Sequence, residues 1–170
     1  DIIKEILTAS KLDDEKRLGE ILDEMRSRSR MRLEGASHSA AVARACSYFS
    51  PVRAFDDMTG GIEYFHFLEK TADAYSKDEK FRKELVRKLK ETAEKLFAAD
   101  NLMVGYTADE EGYKALPEEL KKFKAALSDK PSRRYAFEFV PELKNEGFKT
   151  SSKVNYVARC GSFDAEAYTG

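Results

Sequence analysis

The sequence predicts an α+β fold in which a helix-rich layer packs on a small, mostly antiparallel sheet. Through most of the chain, apolar residues recur every three or four positions, as on the buried face of an α-helix. Three shorter stretches instead have the composition of β-strands: 102–107, 135–140 and 154–159. With 170 residues, of which 42% are hydrophobic and 36% charged, the chain is long enough for one domain with its own core.

After a short opening helix we predict five longer ones, at about 13–33, 37–49, 61–75, 78–99 and 109–127. Capping side chains stand at two of their starts: Asp13 or Asp14 before the first, and Ser76 or Asp78 before the fourth. A strand between the last two helices gives a helix–strand–helix order, which implies a sheet.

Residues 47–68 join two helical runs through a predicted corner. Pro51 forbids a continuous helix through this segment, and the following Gly-Gly pair relaxes the backbone before apolar positions resume. Thr59 can accept hydrogen bonds from the amides of the next turn, so we predict that a new helix begins there.

We find no complete catalytic motif: no H-x-x-E-H in either direction, no paired C-x-x-C, no glycine-rich phosphate loop and no G-x-S-x-G. Glu63 and His66 have an E-x-x-H spacing, but a metal site would need more ligands, so we interpret His66 as a partly buried packing residue. We interpret His38 as a surface or capping residue. Adjacent Asp56 and Asp57 point in different directions, which favours turn and cap roles over acid–base catalysis. The residues therefore predict no catalytic, cofactor-binding or metal-binding site.

The charges nearly cancel, with 30 basic and 31 acidic residues, so net charge directs the chain neither to nucleic acid nor to an anionic surface. Four arginines lie within 26–32. Because a spacing of two fans them around a helix, we interpret them as a solvated face with acidic partners such as Glu24 and Glu34. Whether the stretch 26–32 binds anything stays open.

No apolar run approaches the roughly 20 residues that a membrane-spanning helix needs, so we predict no membrane contact. Cys46 and Cys160 are the only cysteines, which makes no disulfide scaffold and favours a reducing compartment, the cytoplasm. The chain starts without Met on the apparent tail of a helix and stops just after a predicted strand. We therefore expect a piece cut from a longer protein.

Four stretches, in this order, resemble the presequence-protease branch of the insulinase-like (pitrilysin-type) zinc metallopeptidases. They are GASHSAAVARACS, SYFSPVRAFDDMTGGIEYFHFLEK, NLMVGYT followed by ADEEG, and KVNYVARCGSF. The resemblance covers nearly the whole chain, and it places the chain in the non-catalytic C-terminal half of such a protein.

The resemblance implies a parent of two related halves, each made of two α/β domains, that close around a peptide. In the family an inverted H-x-x-E-H motif with a distant acidic ligand holds zinc, and none of those residues is in this sequence. Residues 1–150 would be the helical and α/β part of the third, non-catalytic domain, and 151–170 the linker and first strand of the next. The resemblance thus implies zinc in the parent but no cofactor and no catalytic residue here.

We therefore predict a fragment of a zinc-dependent peptidase that degrades unfolded peptides in a closed chamber. This piece would form chamber wall and be inactive by itself. Its partners would be the remaining domains of the parent and, in the parent, unfolded peptide, but neither nucleic acid nor a membrane. The alternative is a non-enzymatic helical module that binds an acidic partner through the arginines of 26–32.

Overall fold

A computed structural model describes residues 2–131 and 135–162, and the regular secondary structure of those residues is helical. In chain order the elements are α1 (Ile2–Ala9), α2 (Glu15–Gly35), α3 (Ser37–Ser47), α4 (Pro51–Gly60), α5 (Ile62–Lys77), α6 (Glu79–Leu96), a 3-10 turn (Ala99–Asn101) and α7 (Glu110–Lys124). The chain divides into two compact units. The first consists of Asp1–Leu18 with Asp78–Tyr135, and the second of Gly19–Lys77 with Ala136–Gly170.

The predicted sheet is wrong, because no β-strand occurs in residues 2–131 or 135–162 and the fold there is all-α. The three predicted strand segments carry no regular secondary structure, and the recorded β contact is an isolated parallel bridge between Ala98 and Ser128. A strand needs a neighbour for its backbone N–H and C=O groups, and side-chain alternation alone does not supply one. Met103 and Val157 are accordingly 94% and 98% exposed.

Three helix starts are fixed by aspartates. Asp14, Asp78 and Asp109 each accept a hydrogen bond from the backbone N–H three residues later, at 2.9, 3.2 and 2.9 Å. Each bond satisfies a donor that the first turn of a helix leaves without an intrahelical partner. The predicted caps at Asp14 and Asp78 are confirmed.

The corner contains a helix that the sequence analysis missed, α4. Ser50 caps it by accepting from the N–H three residues later at 3.4 Å, and Pro51 occupies the first position, where a missing N–H costs nothing. The predicted start at Thr59 is wrong, because its hydroxyl donates back to the Phe55 carbonyl at 2.9 Å, inside α4.

Asp57 links α4 to α5, which confirms its predicted cap role. Its Oδ1 accepts from the Ile62 N–H at 2.9 Å. The turn is tight enough that a Cβ on Gly61 would lie 2.8 Å from the Asp57 Cα, so glycine is required there. Asp56 turns away and pairs with Arg53 at 3.3 Å.

The core of the second unit lies along one face of α5. Ile62, Leu68, Ala72 and Tyr75 are 2–7% exposed. Tyr75 packs on α2 at Gly19, where an added Cβ would sit 3.4 Å from the tyrosine ring. The helical period of the α5 sequence thus predicts its buried face correctly.

The first unit is much less buried. Neither α6 nor α7 has a buried residue, and Ala98, which follows α6, is 2% exposed. The Ala99 N–H donates to the Ser128 carbonyl at 2.8 Å and joins the ends of these helices. Among the described residues, no helix is both long and apolar enough to cross a membrane.

Candidate functional site

A buried arginine on α3 is the centre of a charged group in the second unit. Arg44 is 8% exposed and pairs with one carboxylate from α4, Asp57, and one from α5, Glu63, the latter at 3.4 Å. Its Nε and Nη2 donate to the two oxygens of Glu146 at 2.8 and 3.1 Å. We call these residues, together with Tyr48, the Arg44 cluster.

Each member of the cluster is held by more than one contact. Tyr48 lies one helical turn after Arg44, accepts from its Nε at 3.2 Å and donates to Glu146. Asp57 uses Oδ2 for Arg44 and Oδ1 for the N–H that begins α5. Glu146 receives both nitrogens of one edge of the guanidinium, the fork geometry that carboxylates match best.

The cluster fixes its own protonation states. The hydrogen bond from Arg44 lowers the pKa of Glu146 to about 2. Burial raises the pKa of the Tyr48 hydroxyl, and its bond to Glu146 raises it further. Burial by itself would lower the pKa of Arg44, but the bonds to Glu146 and Asp57 outweigh burial and raise it. At neutral pH the arginine and Glu146 are charged and Tyr48 is protonated.

This arrangement acts as an anchor for residues 136–162, which have no helix or strand of their own. A cavity of about 150 Å³ lies beside Arg44, lined in part by Met58, Val140 and Pro141. Further along, Phe139 packs edge-on against Phe55, with ring centroids 5.5 Å apart. The guanidinium is compensated by carboxylates, so the cluster binds one part of the chain to another.

The E-x-x-H pair does not converge. Glu63 turns to Arg44, while His66 Nδ1 lies 3.5 Å from Glu69 Oε2. The His66 ring is 6.1 Å from that of Phe148, and 40% of its side chain is exposed, which confirms it as a partly buried packing residue. Within residues 2–131 and 135–162 no three potential ligands come together as a metal site would require.

The other histidine lies on the surface, as predicted. His38 is exposed near the start of α3, and its ring centroid is 5.8 Å from that of Tyr156. Like Phe148 against His66, this contact is made by a residue of 136–162.

The arginines of 26–32 mostly pair with carboxylates of their own unit. The pairs are Arg26 with Asp23 at 2.8 Å and with Asp73 at 3.3 Å, Arg28 with Glu24, and Arg30 with Glu69 at 3.0 Å. The fourth, Arg32, donates to the Gly60 carbonyl. Local acidic partners were predicted, and Glu24 is confirmed as one.

Sequence reasoning missed a second cavity, of about 200 Å³, lined by Met25, Arg28, Ser29, Arg32 and Tyr64. Ser29 is 5% exposed, and its hydroxyl has no hydrogen-bond partner among the described residues. A buried polar group left in this state costs about 1–3 kcal/mol. The four α2 residues lie one helical turn apart or less on one face, and this periodicity is the signal that could have found them.

The structure also pairs the two cysteines, which the sequence analysis did not expect. Cys46 on α3 and Cys160 are joined, with their Cα atoms 5.4 Å apart across 114 residues of sequence. This separation lies in the range that disulfides span. Together with the Arg44 cluster, the pair ties residues 136–162 to α3.

The described residues thus define a helical segment built around an internal ion cluster. A family model described as peptidase-associated, for subfamily C of the insulinase-like peptidases, matches residues 1–70. The chain is 26% identical to Protein HypA of Clostridium perfringens (strain 13 / Type A) over 168 residues, 99% of this chain and 17% of that protein. It is 24% identical to Presequence protease 1, chloroplastic/mitochondrial, of Arabidopsis thaliana over 164 residues, 96% of this chain and 15% of that one.

These matches confirm the resemblance found in the sequence: the chain is a relative of the insulinase-like peptidases of the presequence-protease branch. It spans less than a fifth of the length of either curated relative. No solved structure is significantly similar to the chain.

Proposed function

We propose that this chain is a non-catalytic piece of a larger zinc-dependent peptidase and forms part of the wall of a closed chamber in which unfolded peptides are degraded. The observation that carries the proposal is the match to a presequence protease along 96% of this chain but 15% of that protein. The partners would be the remaining domains of the parent, which would supply the zinc site. Residues 1–150 would belong to its third domain and 151–170 to the following one.

The geometry of the second unit supports a wall. The Arg44 cluster commits a buried cation and its carboxylates to joining α3, α4 and α5 with the segment around Glu146. Buried charges held by several partners resist rearrangement, since breaking one contact leaves an uncompensated charge behind. A wall must keep its shape in this way, whereas a catalytic group must be able to change its protonation state.

The alternative, a module that holds an acidic partner through residues 26–32, has less support. Arg26, Arg28 and Arg30 already pair with carboxylates of the same unit. A broad acidic surface would have to displace those pairs, and the screened attraction gained at exposed side chains is small.

The compartment is a separate proposal. We propose the cytoplasm, on the ground that two cysteines make no disulfide framework. The Arabidopsis relative is named chloroplastic/mitochondrial, and here Cys46 and Cys160 are joined. Thiol labelling of the protein as extracted from its own cells tests the point: two free thiols support a reducing compartment, and none contradicts it.

The function itself is tested by comparing the complete parent with its Arg44→Met variant, using Arg87→Gln as the matched control on the surface of α6. We expect Arg44→Met to lower hydrolysis of an unfolded peptide while bound zinc stays stoichiometric, and Arg87→Gln to change neither. The purified 170-residue chain, with zinc added, is expected not to hydrolyse the peptide. Hydrolysis by that chain, lost on His66→Ala, would contradict the proposal.

A further inference from the structure

The cavity on α2 has the composition of a carboxylate-binding site. We propose that it binds the carboxylate of a peptide, carried either by an acidic side chain or by the C-terminus. Five residues line its volume of about 200 Å³, four from α2 and Tyr64 from α5. The inference rests on the proposed function only in naming a peptide as the molecule that carries the carboxylate.

Two guanidinium groups supply the positive charge. Arg28 and Arg32 are four residues apart, so they project from the same face of α2. Arg28 pairs with Glu24 and Arg32 donates to the Gly60 carbonyl, each through one nitrogen. A guanidinium has five N–H donors, so both side chains have donors left for an incoming carboxylate, whose two oxygens fit such a fork.

Ser29 supplies the second, independent sign of a ligand. It is 5% exposed, it lines the cavity, and its hydroxyl has no hydrogen-bond partner in the part of the chain that the structure describes. Buried polar side chains nearly always have a partner, and a hydroxyl without one is unfavourable. A carboxylate oxygen held between Arg28 and Arg32 would accept from this hydroxyl and remove the deficit.

The other walls favour an organic carboxylate over a bare inorganic ion. The thioether of Met25 and the ring of Tyr64 give the cavity apolar surface beside its donors. Its volume is several times the roughly 30 Å³ that one water occupies in the liquid. There is room for the carbon atoms next to a carboxylate, as at a peptide end or on a glutamate side chain.

The test is calorimetric titration of the 170-residue chain with three five-residue alanine-based peptides. The first is blocked at both ends and carries one glutamate, the second is blocked only at its N-terminus, and the third is blocked at both ends with glutamine replacing glutamate. We expect the first or the second to bind saturably, which identifies the source of the carboxylate, and the third not to bind. Failure of both carboxylate peptides, or equal binding of the third, overturns the proposal. So does inorganic phosphate that binds as tightly as the better peptide.

Variants locate the site and separate binding from folding. We expect Arg28→Gln and Arg32→Gln each to weaken binding about tenfold, the loss of one charge-assisted hydrogen bond. Ser29→Ala should weaken binding several-fold yet leave the Tm unchanged or higher, since it removes an unpartnered hydroxyl. Arg30→Gln, on the same helix, is the matched control and should bind normally. A Ser29→Ala variant with a lower Tm and unchanged affinity would overturn the site. No peptidase assay is involved, so failure here would leave the chamber-wall proposal standing.

Discussion

Two arginines, each held by several carboxylates, show how location decides what an ion pair contributes. Arg87 lies on α6, pairs with Glu84 at 2.6 Å and with Glu91 of the same helix, and leaves 55% of its side chain exposed. Arg44 leaves 10% of its side chain exposed and joins three helices to Glu146, 102 residues away in sequence. The first set of pairs decorates a helix that is already formed, whereas the second determines which parts of the chain lie together.

Removing the buried cation should have the largest effect. We expect Arg44→Met to lower the free energy of unfolding by about 3–5 kcal/mol, because it leaves the buried Asp57 carboxylate without its cation. Urea unfolding followed by circular dichroism measures the change. A loss below about 1 kcal/mol would mean that the cluster is no more important than a surface pair.

The cysteine pair is the second tie between α3 and residues 136–162, and it should rank next. Under oxidising conditions we expect Cys46→Ser to lower the free energy of unfolding by about 2–4 kcal/mol, because the unfolded chain is no longer closed into a loop of more than a hundred residues. A reducing agent should bring the unmodified chain and the variant to nearly the same stability. If reduction leaves the unmodified chain unchanged, the cysteine pair contributes nothing to stability.

Acid should loosen the Arg44 cluster within a defined window. The pKa of Glu146 is lowered in the folded chain from 4.5 to about 2. Its stabilising contribution is therefore complete above the unfolded pKa and is lost as the pH falls from about 4.5 towards 2. Melting temperatures measured across pH 2–6 should fall less steeply for Glu146→Gln than for the unmodified chain. Parallel curves for the two proteins would contradict the assignment.

The surface network should respond least. We expect Arg87→Gln to shift the Tm by about 1 °C or less, since solvent and salt screen exposed pairs within one helix. Differential scanning fluorimetry at low and high salt is sufficient to measure it. A shift as large as that of Arg44→Met would remove the distinction between the two arginines.

Sequence reasoning worked where the determinants of structure are local. Asp14 and Asp78 were recognised as caps, because a helix start depends on residues within one turn of it. It failed at α4, where Pro51 was taken as a break although proline is well placed in the first turn of a new helix. It also failed for the strands, since pairing depends on a neighbour that side-chain alternation cannot reveal.

The candidate sites were beyond sequence reasoning for a different reason. Nothing local to Arg44 indicates that Glu146 will meet it, because their contact depends on how the whole second unit folds. His66 was interpreted correctly, since a lone histidine in an aromatic stretch packs whether or not distant residues are known. The orphaned hydroxyl of Ser29 follows from burial, and periodicity predicts the buried face of a helix but not the cavities along it.

The account depends most on the contact between Arg44 and Glu146. A double-mutant cycle with Arg44→Met, Glu146→Gln and the combined variant isolates their interaction from other effects of each change. We predict a coupling free energy of about 1.5 kcal/mol or more, as for a hydrogen-bonded charge pair shielded from water. A coupling within about 0.3 kcal/mol of zero would mean that Arg44 does not hold residues 136–162 against α3, and the central claim would be wrong.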